Sequence, residues 1–341
     1  MDHFILGRTN LKISRTGFGA LPIQRISFEE ASDILNRALD GDISFIDTAR
    51  AYSNSEEKIG KAISHRRDEF VLATKSHITD PATLNANLET SLRMLNTDHI
   101  DLYQFHMSAY MPKPGGEDGL YEVMLKAREA GKILNIGITT HSLECAFEAV
   151  NSGLYDTLQY PFNHLATQQE IDLVNLCKEK NVGFIAMKGM SGGLITNAAL
   201  PFTFIRQFDN VVPIWGIQRM SELEQFLALS ANPPTMNEEM QAQIADDRKA
   251  LAGSFCRGCG YCLPCPANIP IDTANRLSYL LERSPWKPYM NDEWEEKMNR
   301  IDDCIQCGAC ASRCPYGLKP YETLPAQRDF FREFLKKHRN D

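Results

Sequence analysis

Eight of the chain's ten cysteines fall into two short blocks, Cys256, Cys259, Cys262 and Cys265 in CRGCGYCLPCP and Cys304, Cys307, Cys310 and Cys314 in CIQCGACASRCP. Two-residue gaps let successive thiolates turn inward around one centre, and a more distant fourth thiolate followed by proline completes the coordination of an iron-sulfur cube. Structural zinc also uses paired Cys-x-x-Cys units. Zinc requires neither a third cysteine at the same spacing nor a Cys-Pro ending in both blocks, so the spacing favours two 4Fe-4S clusters. Cys145 and Cys177 lie apart in amphipathic stretches and read as apolar fillers.

A second group of residues is polar and sits at the ends of apolar runs. Asp47 and Tyr52 stand in FIDTARAYSNSE, Lys75 in VLATKS and His106 in IDLYQFH. Reduction of a carbonyl by hydride needs a proton donor for the developing alkoxide, and a free phenol with a pKa of about 10 is a weak acid at neutral pH. A neighbouring ammonium corrects this. Lys75 is expected to stabilise the tyrosinate, Asp47 to hold Lys75 in place and charged, and His106 to donate to the substrate oxygen or relay a proton.

For these side chains to meet, their runs must be neighbouring strands. From residue 14 to about 230 short β-branched runs alternate with longer amphipathic stretches at a repeat of roughly 25 to 30 residues. Strands are expected at 16–21, 43–48, 70–75, 100–106, 133–138, 157–160, 183–187 and 211–215, with helices between them. Ser27 with Glu30 forms a capping box ahead of Ile34, Leu35 and Ala38, and Ser142 starts another helix. The pattern is α/β: a (β/α)8 TIM barrel over residues 1–235, a linking helix over 236–253, and a small helical and loop domain over 254–341 that carries the cysteines. A barrel gathers its chemistry at the C-terminal ends of its strands, where Asp47, Tyr52, Lys75 and His106 would share one mouth. The insert from Met107 to Gly119 is either a lid or a surface loop.

FIDTA, Tyr52, Ser55-Glu56, ATK and the His after DLYQF together resemble the aldo-keto reductase family over roughly residues 5 to 230. The resemblance implies a catalytic tetrad of Asp47, Tyr52, Lys75 and His106 and an NADPH or NADH bound across the mouth without a glycine-rich Rossmann loop. It places Gln159 of LQYPFN and Thr139 of IGITTH against the nicotinamide. MKGMSGG, with Met187 and Lys188, and WGIQRMSELEQ, with Gly216 and Arg219, fall at the phosphate and adenosine positions. The chain departs from the family at Thr140, where many members have Asn, at Met187, where an aromatic ring is frequent, and at Phe226, where an Asn is common. The MK-x-x-x-GG form is similar to an iron-sulfur branch of the family. The second cysteine block resembles the bacterial ferredoxin run at every position, which implies that the fourth cysteine of each block serves the other cluster. Cys256, Cys259, Cys262 and Cys314 would then hold one cube, and Cys304, Cys307, Cys310 and Cys265 the other. The first block is one residue shorter, with only Leu263 and Pro264 between Cys262 and Cys265.

A formal net charge of -8 argues against a nucleic-acid groove. The apolar run near the N-terminus is too short for a secretory signal, and the stretch from Gly189 to Ile205 is broken by Gly192, Gly193 and Pro201, so neither export nor a membrane span is expected. A cytoplasmic chain keeps its cysteines reduced. A nicotinamide passes two electrons as hydride and a 4Fe-4S cluster one, so direct exchange would need a mediator such as flavin, for which no motif is evident. Three readings follow: a carbonyl reductase acting on an aldehyde, ketone or sugar; a reductase fed through its clusters by a ferredoxin; and an electron-transfer or binding module with an inactive barrel. The complete tetrad speaks against the last.

Overall fold

The runs of Val, Ile, Phe and Tyr form short strands because such residues pack well on a pleated, buried surface. In the computed structural model, which describes residues 1–77, 80–251, 255–283 and 286–338, an antiparallel hairpin of β1 (His3–Ile5) and β2 (Lys12–Ser14) comes first. Eight strands then close a parallel barrel: β3 (Gly17–Gly19), β4 (Phe45–Asp47), β5 (Val71–His77), β6 (Ile100–His106), β7 (Ile133–Thr139), β8 (Thr157–Pro161), β9 (Gly183–Met187) and β10 (Val211–Gly216), with β10 hydrogen-bonded to β3. These are the eight strands expected from the sequence. The hairpin was not, since its strands are three residues each and carry no measurable period. Its Leu6 sits against Gly183 at the start of β9 and, with Ile13, joins the barrel's interior.

The helices between the strands are α1 (Phe28–Asp40), α2 (Ser55–Ile63), α3 (Pro81–Leu95), α4 (Leu120–Glu129), α5 (Leu143–Ser152), α6 (Gln168–Glu179) and α7 (Ala199–Ile205), and α8 (Met220–Ala231) follows β10. The Ser27 box caps α1, with Glu30 N–H donating to Ser27 Oγ at 3.1 Å and Ser27 N–H to Glu30 Oε2 at 2.9 Å. Ser142 caps α5 by accepting from Cys145 N–H at 3.2 Å. Cys145 on α5 and Cys177 on α6 are buried, and burial pushes their thiols up to about 11 and about 12.

Alternation along the strands layers the interior, because residues two apart face the same side. Phe45, Ala73, Leu102, Ile185, Val212 and Ile214 form an apolar layer. Two residues further on stand Asp47 after Phe45, Lys75 after Ala73 and Gln104 after Leu102, so the apolar floor lifts these polar groups toward the C-terminal mouth. Gln104 needs a gap beside it, since a Cβ on Gly137 would lie 2.4 Å from Thr157 Oγ1 and 2.8 Å from Gln104 Cγ.

The chain divides into two compact units, Met1–Gly189 with Ala198–Glu238, and Met190–Asn197 with Glu239–Asp341. The second is helical and loop-rich: α9 (Glu238–Ala250), α10 (Ile271–Ala274), α11 (Leu277–Arg283), α12 (Asp292–Asn299), α13 (Ala309–Ser312) and α14 (Pro320–His338) surround the cysteine loops. Leu277, Leu281, Met298, Leu324 and Phe331 supply its buried apolar groups. No described helix is long and apolar enough to cross a membrane.

Gly137→Ala should overpack the barrel beneath the mouth. A loss of about 1–3 kcal/mol in unfolding free energy is expected by urea denaturation; an unchanged midpoint would show that Gln104 moves aside freely.

Candidate active site and candidate metal centre

Lys75 and Asp47, which face each other across β5 and β4, are at most 2% exposed. Lys75 Nζ donates to Asp47 Oδ1 at 2.7 Å, to Asp47 Oδ2 at 2.6 Å and to the Thr48 carbonyl at 2.7 Å. An ammonium has three protons, so its donors are fully used. Burial lowers the Lys75 pKa and raises that of Asp47, and their mutual attraction opposes both shifts. Gln104 Nε2 reaches Asp47 Oδ1 at 3.4 Å and Gln159 Oε1 at 3.0 Å, which extends the polar network across the barrel to β8.

Tyr52 lies in the turn after β4, with Lys75 Nζ 5.5 Å from its ring centre and its ring edge-on to His106 at 5.8 Å. The sequence reading has Lys75 lowering the phenol pKa. The structure instead gives a raised one, from burial first and then from the Asp47 charge. The reason is geometric: the ammonium spends its protons on Asp47 and Thr48, and the carboxylate that neutralises it also acts on Tyr52. Tyr52 is therefore a protonated phenol, able to donate.

His106 at the end of β6 is 7% exposed. Its pKa is driven well below 6.5 by burial, then by Lys75, His77 and His141, so the ring is neutral near pH 7. His77 stacks on it at 4.5 Å, and His106 Nδ1 is a buried atom with no hydrogen-bond partner. Outside the barrel wall, between β5 and the helices α2 and α3, Glu56 is buried and accepts from Thr74 Oγ1 at 2.8 Å and Ser91 Oγ at 2.7 Å, and it pairs with Arg50. Sequence reasoning passed over Gln104 and His77, although both fall on the inward alternation of IDLYQFH and VLATKSH.

The expected cofactor residues are distributed unevenly. Gln159 joins Gln104 and Asp47 in the polar network at the mouth. Thr139 Oγ1 accepts from Met107 N–H at 2.8 Å, while Thr140 Oγ1 donates to the Ser108 carbonyl at 2.7 Å, so both hydroxyls fasten the chain after β6 to the end of β7. Met187 is half-buried against the interior layer, and Lys188 adopts a left-handed φ of 58° with its carbonyl accepting from Asn163 at 2.9 Å. Gly216 is exposed at the end of β10, and Arg219 caps α8 and pairs with Glu222 at 3.8 Å. Phe226 stacks on Trp215 at 4.5 Å and is buried, so it belongs to helix packing and offers no adenine contact. In the 107–119 loop Tyr110 donates to Asp118 at 2.8 Å and Gly115 N–H to Glu122 at 2.7 Å.

In the second unit the cysteines ring two cavities. One is lined by Cys256, Cys259, Cys262 and Cys314 together with Arg257 and Tyr316. The other is lined by five cysteines, Cys262, Cys265, Cys304, Cys307 and Cys310. The first cavity thus takes three cysteines from the first block and Cys314 from the second, and the other takes three from the second block with Cys265 and Cys262 from the first. Arg313 donates to the carbonyls of Cys262, Leu263 and Pro264 at 2.9–3.0 Å and fixes the shortened spacer that aims Cys265. Burial raises the Cys256 thiol and pushes Cys262 up to about 12, so iron must displace their protons on binding. Four thiol donors around a cavity suit an iron-sulfur cube. Among the described residues no three His, Cys, Asp or Glu side chains converge on a point suited to a single ion.

Residues 15–210 match the model of the aldo/keto reductase family. The chain belongs to that family. Residues 255–319 of this aldo/keto reductase match a 4Fe-4S dicluster domain. It is similar to the aldo-keto reductase YhdN of Bacillus subtilis, 32% identical over 218 residues that span 58% of this chain and 64% of the relative. It is also similar to L-galactose dehydrogenase of Arabidopsis thaliana, 27% identical over 215 residues, 58% of this chain and 67% of the relative. The holo form of the aldo-keto reductase AKR11C1 from Bacillus halodurans shares its fold, with a TM-score of 0.64 at 20% identity over 72% of this chain and 96% of that one. So does an aldo/keto reductase from Klebsiella pneumoniae solved with NADP and acetate, with a TM-score of 0.63 at 20% identity over 73% and 96%.

A neutral buried His106 has a testable cost in acid. Its folded pKa lies below the unfolded value of 6.5, so the unfolded chain binds the extra proton and stability falls as pH drops below 6.5. The slope from this group is at most about 1.4 kcal/mol per pH unit. Urea midpoints between pH 7.5 and 5.5 should fall less in His106→Gln than in the parent; equal slopes would contradict the assignment.

Proposed function

We propose that this oxidoreductase is a cytoplasmic, NAD(P)H-dependent carbonyl reductase with Tyr52 as its general acid, and that its C-terminal domain carries two 4Fe-4S clusters. The barrel would occupy residues 1–235, the linking helix 236–253 and the cluster domain 254–341. The observation that carries the reading is the buried Lys75–Asp47 pair, placed beneath a protonated Tyr52 and a neutral His106 at one mouth.

A bound nicotinamide supplies the hydride. Gln159 and Thr139 would orient it, with Met187 and Gly216 at the rim, Thr140 holding the adjacent loop, and Lys188 and Arg219 offering charge to its phosphates. His106 would donate to the carbonyl oxygen of an aldehyde, ketone or sugar and fix its position. Tyr52 would deliver its proton to that oxygen as negative charge builds on it. The resulting tyrosinate is held by the field of Lys75 and, with its raised pKa, readily takes a proton back. Asp47, supported by Gln104 and Gln159, keeps Lys75 charged and still.

Cys256, Cys259, Cys262 and Cys314 would hold one cluster, and Cys304, Cys307, Cys310 and Cys265 the other. Clusters in these positions supply one-electron transfer or rigidity. One observation favours electron exchange with an external carrier such as a ferredoxin: Cys307 is exposed, and Ile305 beside it is 68% exposed.

Tyr52→Phe should lower NADPH-dependent carbonyl reduction by roughly a hundredfold or more, while Cys307→Ala in folded protein leaves it measurable. Equal loss from both substitutions would overturn this reading in favour of cluster-driven turnover.

A further inference from the structure

The second unit contains a buried cation that neither the barrel chemistry nor cluster ligation uses. Arg276, which follows α10, is 6% exposed. Its Nη2 donates to the Ser191 carbonyl at 2.6 Å and the Gly192 carbonyl at 3.2 Å, within the same unit. Its other end lies on the cysteine loop: a Cβ at Gly258 would be 2.4 Å from Arg276 Nη1, and Gly258 has a left-handed φ of +60°. The N–H of that glycine donates to Cys256 Sγ at 3.4 Å. Arg276 Nε is buried without a hydrogen-bond partner. Burial works against the guanidinium's charge, and Asp272 is among the groups that offset it. An arginine stays charged even so.

The two cavities differ in this respect. Arg257, stacked over Tyr316 at 4.7 Å, lines the first cavity and adds to its positive field. The guanidinium at the second, Arg313, is partly exposed and committed to backbone carbonyls, and Cys307 there faces solvent. Water screens charge at the second site, whereas a low-dielectric setting strengthens it at the first.

We propose that Arg276 raises the reduction potential of the cluster held by Cys256, Cys259, Cys262 and Cys314 above that of its neighbour. The inference rests on the two-cluster reading. Each cluster accepts one electron from a one-electron donor, its core gaining one negative charge, and a fixed buried cation stabilises the product of that step. An electron entering at the exposed second cluster then passes downhill to the first and resides there.

The test is an anaerobic redox titration of the full-length holoprotein followed by electron paramagnetic resonance, with iron and sulfide measured on each sample. Cys256→Ser, which changes one ligand of the first cluster, identifies its signal. In Arg276→Gln the first cluster should lose at least tenfold in its affinity for the electron, equivalent to 59 mV for a one-electron couple, while the second stays in place. Arg276→Lys should retain most of the parent midpoint. Asp272→Asn removes a countercharge and should shift the same midpoint upward, which provides a reading if Arg276→Gln takes up no cluster. Clusters whose midpoints are unmoved by Arg276→Gln or Asp272→Asn, or an equal fall in Arg276→Lys and Arg276→Gln, would overturn the proposal. Parent protein without a cluster signal would overturn the two-cluster reading beneath it.

Discussion

The Lys75–Asp47 ion pair constrains everything around the mouth. Moving two charges out of water costs several kcal/mol per ion, and removing one partner of such a pair costs about 3–5 kcal/mol because the other is left uncompensated. The arrangement tolerates this only because every proton of the ammonium has an acceptor and Asp47 receives further support from Gln104 and Gln159. That requirement sets which strands must be neighbours and in what register: Asp47 opposite Ala73, and Lys75 opposite Gln104. Burial sets the direction in which Tyr52 and His106 titrate, and the same pair adds to it, Asp47 raising the phenol further and Lys75 lowering the imidazole further.

Much of this was legible in the sequence, for physical reasons that differ from element to element. The strands carried β-branched runs bounded by polar residues, and Ser27 and Ser142 announced their helices through side chains that can accept only at a helix start. The cysteine blocks were legible because cluster geometry limits the spacing of thiolates. Gln104 and His77 were missed although their period-two positions mark them as inward-facing, because an isolated Gln or His has no distinctive spacing. The direction of the Tyr52 shift was also out of reach: it depends first on how deeply the folded chain buries the phenol and then on the nearness of the Asp47 charge, and neither is written in a local pattern. Phe226 went to the core because its ring stacks on Trp215, a contact between β10 and α8 that no local pattern encodes.

On the proposed function the two halves of the chain would work in different electron currencies. The barrel's tetrad suits a step in which a proton and a hydride reach one carbonyl together, and the cysteine cavities suit single electrons. Tyr52 and His106, as proposed, would deliver protons, which a hydride acceptor requires at once and a one-electron acceptor requires only after a second electron arrives. On the proposed reading, a protonated phenol over a saturated ion pair suits hydride chemistry in the barrel, and the cluster domain would act apart from that step.

The central claim, that the barrel transfers hydride directly to a carbonyl carbon, is tested most directly by isotope transfer. NADPH deuterated at the transferable C4 position would be turned over anaerobically with a small aldehyde, and the alcohol examined by mass spectrometry and proton NMR. Deuterium at the carbinol carbon, one atom per alcohol formed, is the predicted result. An alcohol carrying only solvent-derived hydrogen at that carbon would contradict it and assign the reduction to electrons passed through the clusters.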